Sequence, residues 1–120
     1  IVMIIGIGID LVELDRLKSL LNDRFINRVL SDLEKELYDN ITDEQTKLEF
    51  IGGRFASKEA IFKAISKGKG HTNYIDFSIL KDENGKPYVK TNYFTEGETI
   101  HISITHTAHY ASSYCVIEKA

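Results

Sequence analysis

The chain has 120 residues, the size of one ordinary domain, and its 42% hydrophobic and 28% charged residues exclude disordered, collagen-like and low-complexity classes. Fifteen Lys and Arg against eighteen Asp and Glu leave a net charge of −3, which argues against generic binding to nucleic acid or to an anionic membrane. The lone cysteine, Cys115, lies in the apolar run Tyr114 to Ile117 and has no partner for an internal disulfide, so a buried thiol in a reducing, cytoplasmic setting is expected.

The apolar start, Ile1 to Ile9, falls far short of the ~20 residues of a membrane span and has no basic stretch before it, so neither a span nor a targeting segment is expected. Ile5, Ile7 and Ile9 alternate with Gly6, Gly8 and Asp10, which predicts a strand with one apolar face and one face nearly without side chains. Leu14, Leu17, Leu20 and Leu21 recur at helical spacing. Ser31 followed by Glu34 reads as a capping box that opens a short helix running to about Tyr38. Thr42 or Asp43 caps a long helix in which Leu48, Ile51, Phe55, Phe62 and Ile65 keep the spacing until Gly68 and Gly70. The period then changes. Residues 74–80 and 88–91 read as strands joined by the turn Lys81 to Pro87. Ile100, Ile102 and Ile104 alternate with His101, Ser103 and Thr105, and a tight connection over 107–109 leads into a last strand, 110–117. The class is α+β, and with no linker or repeat a single domain over residues 1–120 is expected.

Several residues break these patterns in ways that point to chemistry. Glu59 falls within the apolar stripe of the long helix, where a carboxylate must be protonated, paired with Lys63 one turn on, or bound to a metal. The intrahelical Glu59–Lys63 pair is the simplest of the three. Gly52 and Ala56 form a strip of small residues on the flank of that helix, and the Gly6, Gly8, Asp10 face is a matching surface. Packing the two together brings Asp10 near Glu59, and two such carboxylates suit Mg²⁺. Taken alone, Asp10 serves equally well as a helix N-cap.

His106 has the parity of Ile100 to Ile104 and is expected on the buried face as a satisfied core histidine. Lys67-Gly68-Lys69-Gly70 can cradle phosphate, although a helix end with solvated lysines is the simpler reading. Gly6-Ile7-Gly8 lacks the third glycine of a dinucleotide-binding turn, so a Rossmann fold is discarded. Residues 16–30 carry Arg16, Lys18, Arg24 and Arg28 against Asp23 alone, whereas 31–49 carry seven acids against two lysines. Basic islands in an acidic protein suggest one acidic macromolecular partner and one polyphosphate ligand.

Four segments in this order resemble the holo-[acyl carrier protein] synthases, small bacterial 4'-phosphopantetheinyl transferases. They are Gly6 to Glu13 with Arg16 following, Gly53 to Ala60 with Lys63-Ala64 following, Asn84-Gly85-Lys86-Pro87, and Ser103 to Thr107. The resemblance starts from Met3, with Ile1 and Val2 before it, and spans most of the chain. It implies a long central helix packed on a mostly antiparallel sheet, and a homotrimer with active sites between subunits. It further implies Mg²⁺ on Asp10 and Glu59, Lys63 on the diphosphate of coenzyme A, and Asn84, Gly85 and Pro87 around the adenine. His106, Thr107 and Arg54 are implied at the nucleotide phosphates, and Arg16, Arg24 and Arg28 at the acidic acyl carrier protein. The implied reaction moves 4'-phosphopantetheine from coenzyme A to a carrier-protein serine with release of 3',5'-ADP, in support of fatty acid biosynthesis. Two alternatives carry different chemistry. One is a Mg²⁺-dependent nuclease or phosphatase, which usually needs three or four acidic ligands; the other is a coenzyme A or nucleotide sensor that binds without turnover.

Overall fold

The computed structural model describes residues 1–65 and 69–120. The element order is β1 (Met3–Glu13), α1 (Leu14–Leu20), α2 (Asp23–Val29), α3 (Asp32–Asp39), α4 (Glu44–Ala64), a single 3₁₀ turn at Tyr74–Asp76, then β2 (Ser78–Lys81), β3 (Pro87–Lys90), β4 (Glu98–His106) and β5 (Tyr110–Lys119). Every strand pairing is antiparallel. β1, β5 and β4 lie side by side in that order, and β2 and β3 form a separate hairpin.

The caps explain where the helices begin. Ser31 Oγ accepts from the Glu34 N–H while Glu34 Oε1 accepts from the Ser31 N–H, which closes the expected capping box at the start of α3. Asp43 rather than Thr42 caps α4, accepting from the Thr46 N–H at 2.9 Å. Asn22 caps α2 through the Phe25 N–H; this helix is absent from the sequence reading because its apolar residues fill less than two turns. α4 ends at Ala64 with Ile65 extended. The expected stop at Gly68 lies outside the described residues, as do Lys67 and Gly68 of the candidate phosphate cradle.

α4 lies across one face of the three-stranded sheet, and the core divides along its length. Its first half packs Leu48, Ile51 and Ala56 on Val12, Leu14, Leu17, Val29, Leu30 and Ala111. The second half packs Ala60, Ile61 and Phe62 on Phe77, Ile79, Ile102, Cys115 and Ile117. Cys115 is fully buried among these groups, which pushes its thiol up to about 12 and leaves it a small core hydrophobe.

The glycine face of β1 does meet this helix, but two turns further along than Gly52 and Ala56. A Cβ on Gly6 would stand 1.9 Å from the Ala64 carbonyl oxygen, and one on Gly8 the same distance from that of Ala60. Gly52 instead faces the Leu14 side chain. With the glycines turned inward, Ile5, Ile7, Ile9 and Leu11 are exposed on the opposite face, beside the half-exposed Tyr114 of β5.

Among the described residues two charged side chains, Lys58 and Glu34, are wholly buried. Lys58 of α4 is ion-paired to Glu34 of α3, and its Nζ also donates to the Val29 carbonyl. Glu34 Oε2 accepts from the Ile79 N–H of β2. Glu34, expected from the sequence as the capping-box residue, also joins with Lys58 to tie α2, α3 and β2 to the long helix. Burial lowers the Lys58 pKa, opposed by Glu34 beside it.

Gly8→Ala is predicted to destabilise the fold by about 3 kcal/mol or more, because the added methyl meets a backbone oxygen that cannot step aside. Chemical denaturation measures it. Gly85→Ala, with nothing within 4 Å of its Cβ, carries only the strain of a φ of +79°.

Candidate active site

The inward face of β1 continues past its glycines to Asp10, the first polar side chain on that face, while α4 brings Glu59 and Lys63 to the same region. Lys63 Nζ donates to Asp10 Oδ1 at 3.1 Å and to the Ile9 carbonyl at 2.8 Å. The expected Glu59–Lys63 pair is therefore absent: β1 passes close enough that Lys63 reaches across to it. The N-cap role for Asp10 is absent too, since β1 runs on to Glu13, which precedes α1 without a side-chain cap. Ser112 Oγ of the neighbouring β5 donates to the Asp10 carbonyl and helps hold the strand in place.

Glu59 Oε1 accepts a 2.5 Å hydrogen bond from the Tyr74 hydroxyl. Tyr74 stands on the 3₁₀ turn, with its ring between Phe55 and Phe62 and the Arg28 guanidinium 5.7 Å from its centroid. The strand expected over 74–80 begins only at Ser78, because the chain returning after α4 first closes the 3₁₀ turn that carries Tyr74 back over the helix. Burial, reinforced by the bond to Glu59, raises its pKa from 10.0 to about 12, so the phenol is a donor at neutral pH.

Asp10 and Glu59 border one cavity of about 360 Å³, together with Glu13, Arg16, Leu17, Leu20 and Phe55. Two carboxylates facing open space form a hard-oxygen donor pair of the kind Mg²⁺ uses, with the rest of its octahedron supplied by water or phosphate. Among the described residues no group of three or more His, Cys, Asp or Glu is placed to hold a metal, so the ligand set of a two-metal hydrolase is not assembled there.

A second cavity, of about 260 Å³, lies elsewhere along α4. Arg54, Gly85, Pro87 and His106, for which the resemblance implies nucleotide contacts, line it together with Thr46, Glu49, Phe50 and Lys81. Arg54 is almost fully buried; its Nε donates to the Ile79 carbonyl and its guanidinium stacks 3.8 Å from the Phe50 ring centroid. His106 is exposed rather than buried, because the strand ends there, and its Nδ1 lies 3.6 Å from Glu49 Oε2. Asn84 stays in the β2–β3 turn, where its N–H donates to Asp82 Oδ1. Thr107 shapes the β4–β5 turn, its hydroxyl accepting from the His109 and Tyr110 N–H groups. Neither Asn84 nor Thr107 lines the cavity. Arg16 reaches the first cavity, while Arg24 and Arg28 stand exposed on α2.

The family model of the 4'-phosphopantetheinyl transferase superfamily matches residues 6–116. A holo-[acyl-carrier-protein] synthase of Staphylococcus aureus (strain N315) is 46% identical over 121 residues, covering 98% of this chain and 98% of that protein. The crystal structure of a holo-(acyl-carrier-protein) synthase from Bacillus anthracis in complex with CoA (3',5'-ADP) superposes with a TM-score of 0.88 at 35% identity, covering 98% of this chain and 99% of the other. The Helicobacter pylori holo-[acyl-carrier-protein] synthase in complex with coenzyme A superposes with a TM-score of 0.77 at 28% identity over 92% of this chain and 98% of its own.

The Tyr74 pKa has a signed consequence for stability. A folded-state value of about 12, above the ordinary 10.0, stabilises the fold fully below pH 10, and that contribution is lost as pH rises through 12. Stability measured by chemical denaturation between pH 9 and 12 is predicted to fall more steeply for the wild type than for Tyr74→Phe.

Proposed function

Because this chain belongs to the holo-[acyl-carrier-protein] synthase family of the 4'-phosphopantetheinyl transferase superfamily, we propose that it transfers 4'-phosphopantetheine from coenzyme A to a serine of apo-acyl carrier protein, as one transferase domain across residues 1–120. The serine oxygen forms a bond to the β-phosphorus, the bond from that phosphorus to 3',5'-ADP breaks, and the serine proton passes to solvent. The observation that carries this reading is that Asp10 and Glu59 border one cavity while Lys63 holds Asp10 by its Oδ1, in the family's own motifs.

Asp10 and Glu59 hold Mg²⁺, which neutralises the diphosphate when bound. Lys63 keeps Asp10 oriented and, half-exposed, offers its ammonium to the diphosphate oxygens as charge shifts onto the departing group. Leu17, Leu20 and Phe55 give the same cavity an apolar side for the pantetheine arm. Arg54, Gly85, Pro87 and His106 receive the nucleotide, with Asn84 and Thr107 holding the two turns that frame it. Arg16, Arg24 and Arg28 attract the acidic carrier protein, a contribution to encounter rate that weakens with salt. The substrates and product are those of a cytoplasmic enzyme of fatty acid biosynthesis.

We further propose a homotrimer with composite active sites. Two observations support it. Ile5, Ile7, Ile9 and Leu11 form a row of exposed apolar side chains along one sheet face, the kind of patch that associates in water. The nucleotide cavity and the carboxylate cavity of one chain share no lining residue, so a coenzyme A bridging them between neighbouring subunits resolves the separation.

Mass spectrometry of a bacterial apo-acyl carrier protein incubated with this protein, coenzyme A and Mg²⁺ is predicted to show a gain of one phosphopantetheine, abolished by chelator and reduced at least about 100-fold in rate by Glu59→Gln. Binding of coenzyme A without mass gain, with the carrier protein shown competent, supports the sensor reading instead. Sedimentation velocity is predicted to find a trimer that Ile9→Asp dissociates; an unchanged wild-type monomer refutes the composite site.

A further inference from the structure

We propose that Tyr74 is a positioning residue for Glu59: its hydroxyl clamps Oε1 and leaves Oε2 for the cavity shared with Asp10, which sets the affinity of the site for its divalent cation. This rests on the reading of Asp10 and Glu59 as the metal ligands. The bond is short, 2.5 Å, and the hydroxyl is delivered by a ring that the packing holds independently of it. Phe62 and Phe55 flank the ring at centroid distances of 5.2 and 5.7 Å, and Arg28 and Lys69 lie over it at 5.7 and 4.9 Å. Below it, the 3₁₀ turn is closed by the Asn73 N–H donating to Asp76 Oδ2 at 2.7 Å. The donor is therefore in place before any ligand arrives.

Glutamate has a long, rotamer-rich side chain, and ordering it on a metal carries an entropic penalty that a preplaced hydrogen bond reduces. The two carboxylates of the site are held by different chemistry. Lys63 holds Asp10 with a full positive charge, which competes with a cation. Tyr74 is neutral, so it orients Glu59 without neutralising it. Hydrogen-bond partners of ligating groups commonly contribute about 10–100-fold to metal affinity.

Tyr74→Phe isolates the hydroxyl, since it keeps the ring among Phe55, Phe62 and Arg28. The test measures free Mn²⁺ by electron paramagnetic resonance, in the presence of saturating coenzyme A, for wild type, Tyr74→Phe and Glu59→Gln. We expect Glu59→Gln to lose the site and Tyr74→Phe to bind Mn²⁺ about 10-fold more weakly, with an unchanged KM for coenzyme A and a transfer rate restored by raising Mg²⁺. Equal Mn²⁺ affinity of Tyr74→Phe and wild type, alongside loss in Glu59→Gln, overturns the role of Tyr74 alone. Absence of Mn²⁺ binding by the wild type overturns the metal reading and this inference with it. A fall in transfer by Tyr74→Phe that excess Mg²⁺ does not restore marks a structural role and also overturns it.

Discussion

The contact between the glycines of β1 and the backbone of α4 is the constraint from which the site follows. Gly6 and Gly8 sit where any side chain would collide with the carbonyl oxygens of Ala64 and Ala60. Two residues of strand advance about 6.6 Å, and four residues of helix about 6 Å, so the two glycines and the two alanines stay in step. Asp10 is the next residue on the same face. It is carried to the helix just beyond this close approach, where Lys63 can reach both its carboxylate and the carbonyl of Ile9. Were a larger residue in place of either glycine, the strand would stand off and the cavity between Asp10 and Glu59 would change shape.

Lys58 and Glu59 show how one helix carries a buried fastening and the proposed metal ligand on adjacent charged residues. Successive side chains on a helix point about 100° apart, so Lys58 turns into the protein and Glu59 toward the cavity. Lys58 is satisfied by Glu34 and by the Val29 carbonyl, and Glu34 in turn by the N–H groups of Ser31 and Ile79. Removing one partner of such a buried pair typically costs about 3–5 kcal/mol, so the network is a fastening for the elements around α4. It also fixes the rotation of the helix about its axis, and with it the direction in which Glu59 and Lys63 project.

Much of this was legible in the sequence because it depends on local patterns. The alternation of glycine and isoleucine in β1, the Ser31–Glu34 capping box, the alternating Ile100 to Thr105 and the change of period after α4 are all local, and the structure bears them out. What depended on long-range approach was not. The Glu59–Lys63 pair was the natural local expectation, and β1 displaced it by bringing Asp10 and the Ile9 carbonyl to Lys63. The strip of small residues under β1 proved to be Ala60 and Ala64 because Leu14 fills the space beside Gly52. α2 was too short to show a period, and Tyr74, read as the start of a strand, stands on a 3₁₀ turn that only the return of the chain over α4 produces. His106 followed the parity of its strand but lay at its end, where the sheet no longer covers it.

The proposed transfer calls for a divalent cation held jointly by one carboxylate from the strand and one from the helix. The most direct measurement is a crystal structure of the protein with coenzyme A and Mn²⁺, read by anomalous scattering at the manganese edge. One peak is predicted between the carboxylates of Asp10 and Glu59, with a phosphate oxygen of coenzyme A in its shell. Bound coenzyme A with no peak there, or a peak coordinated by other residues, would contradict it.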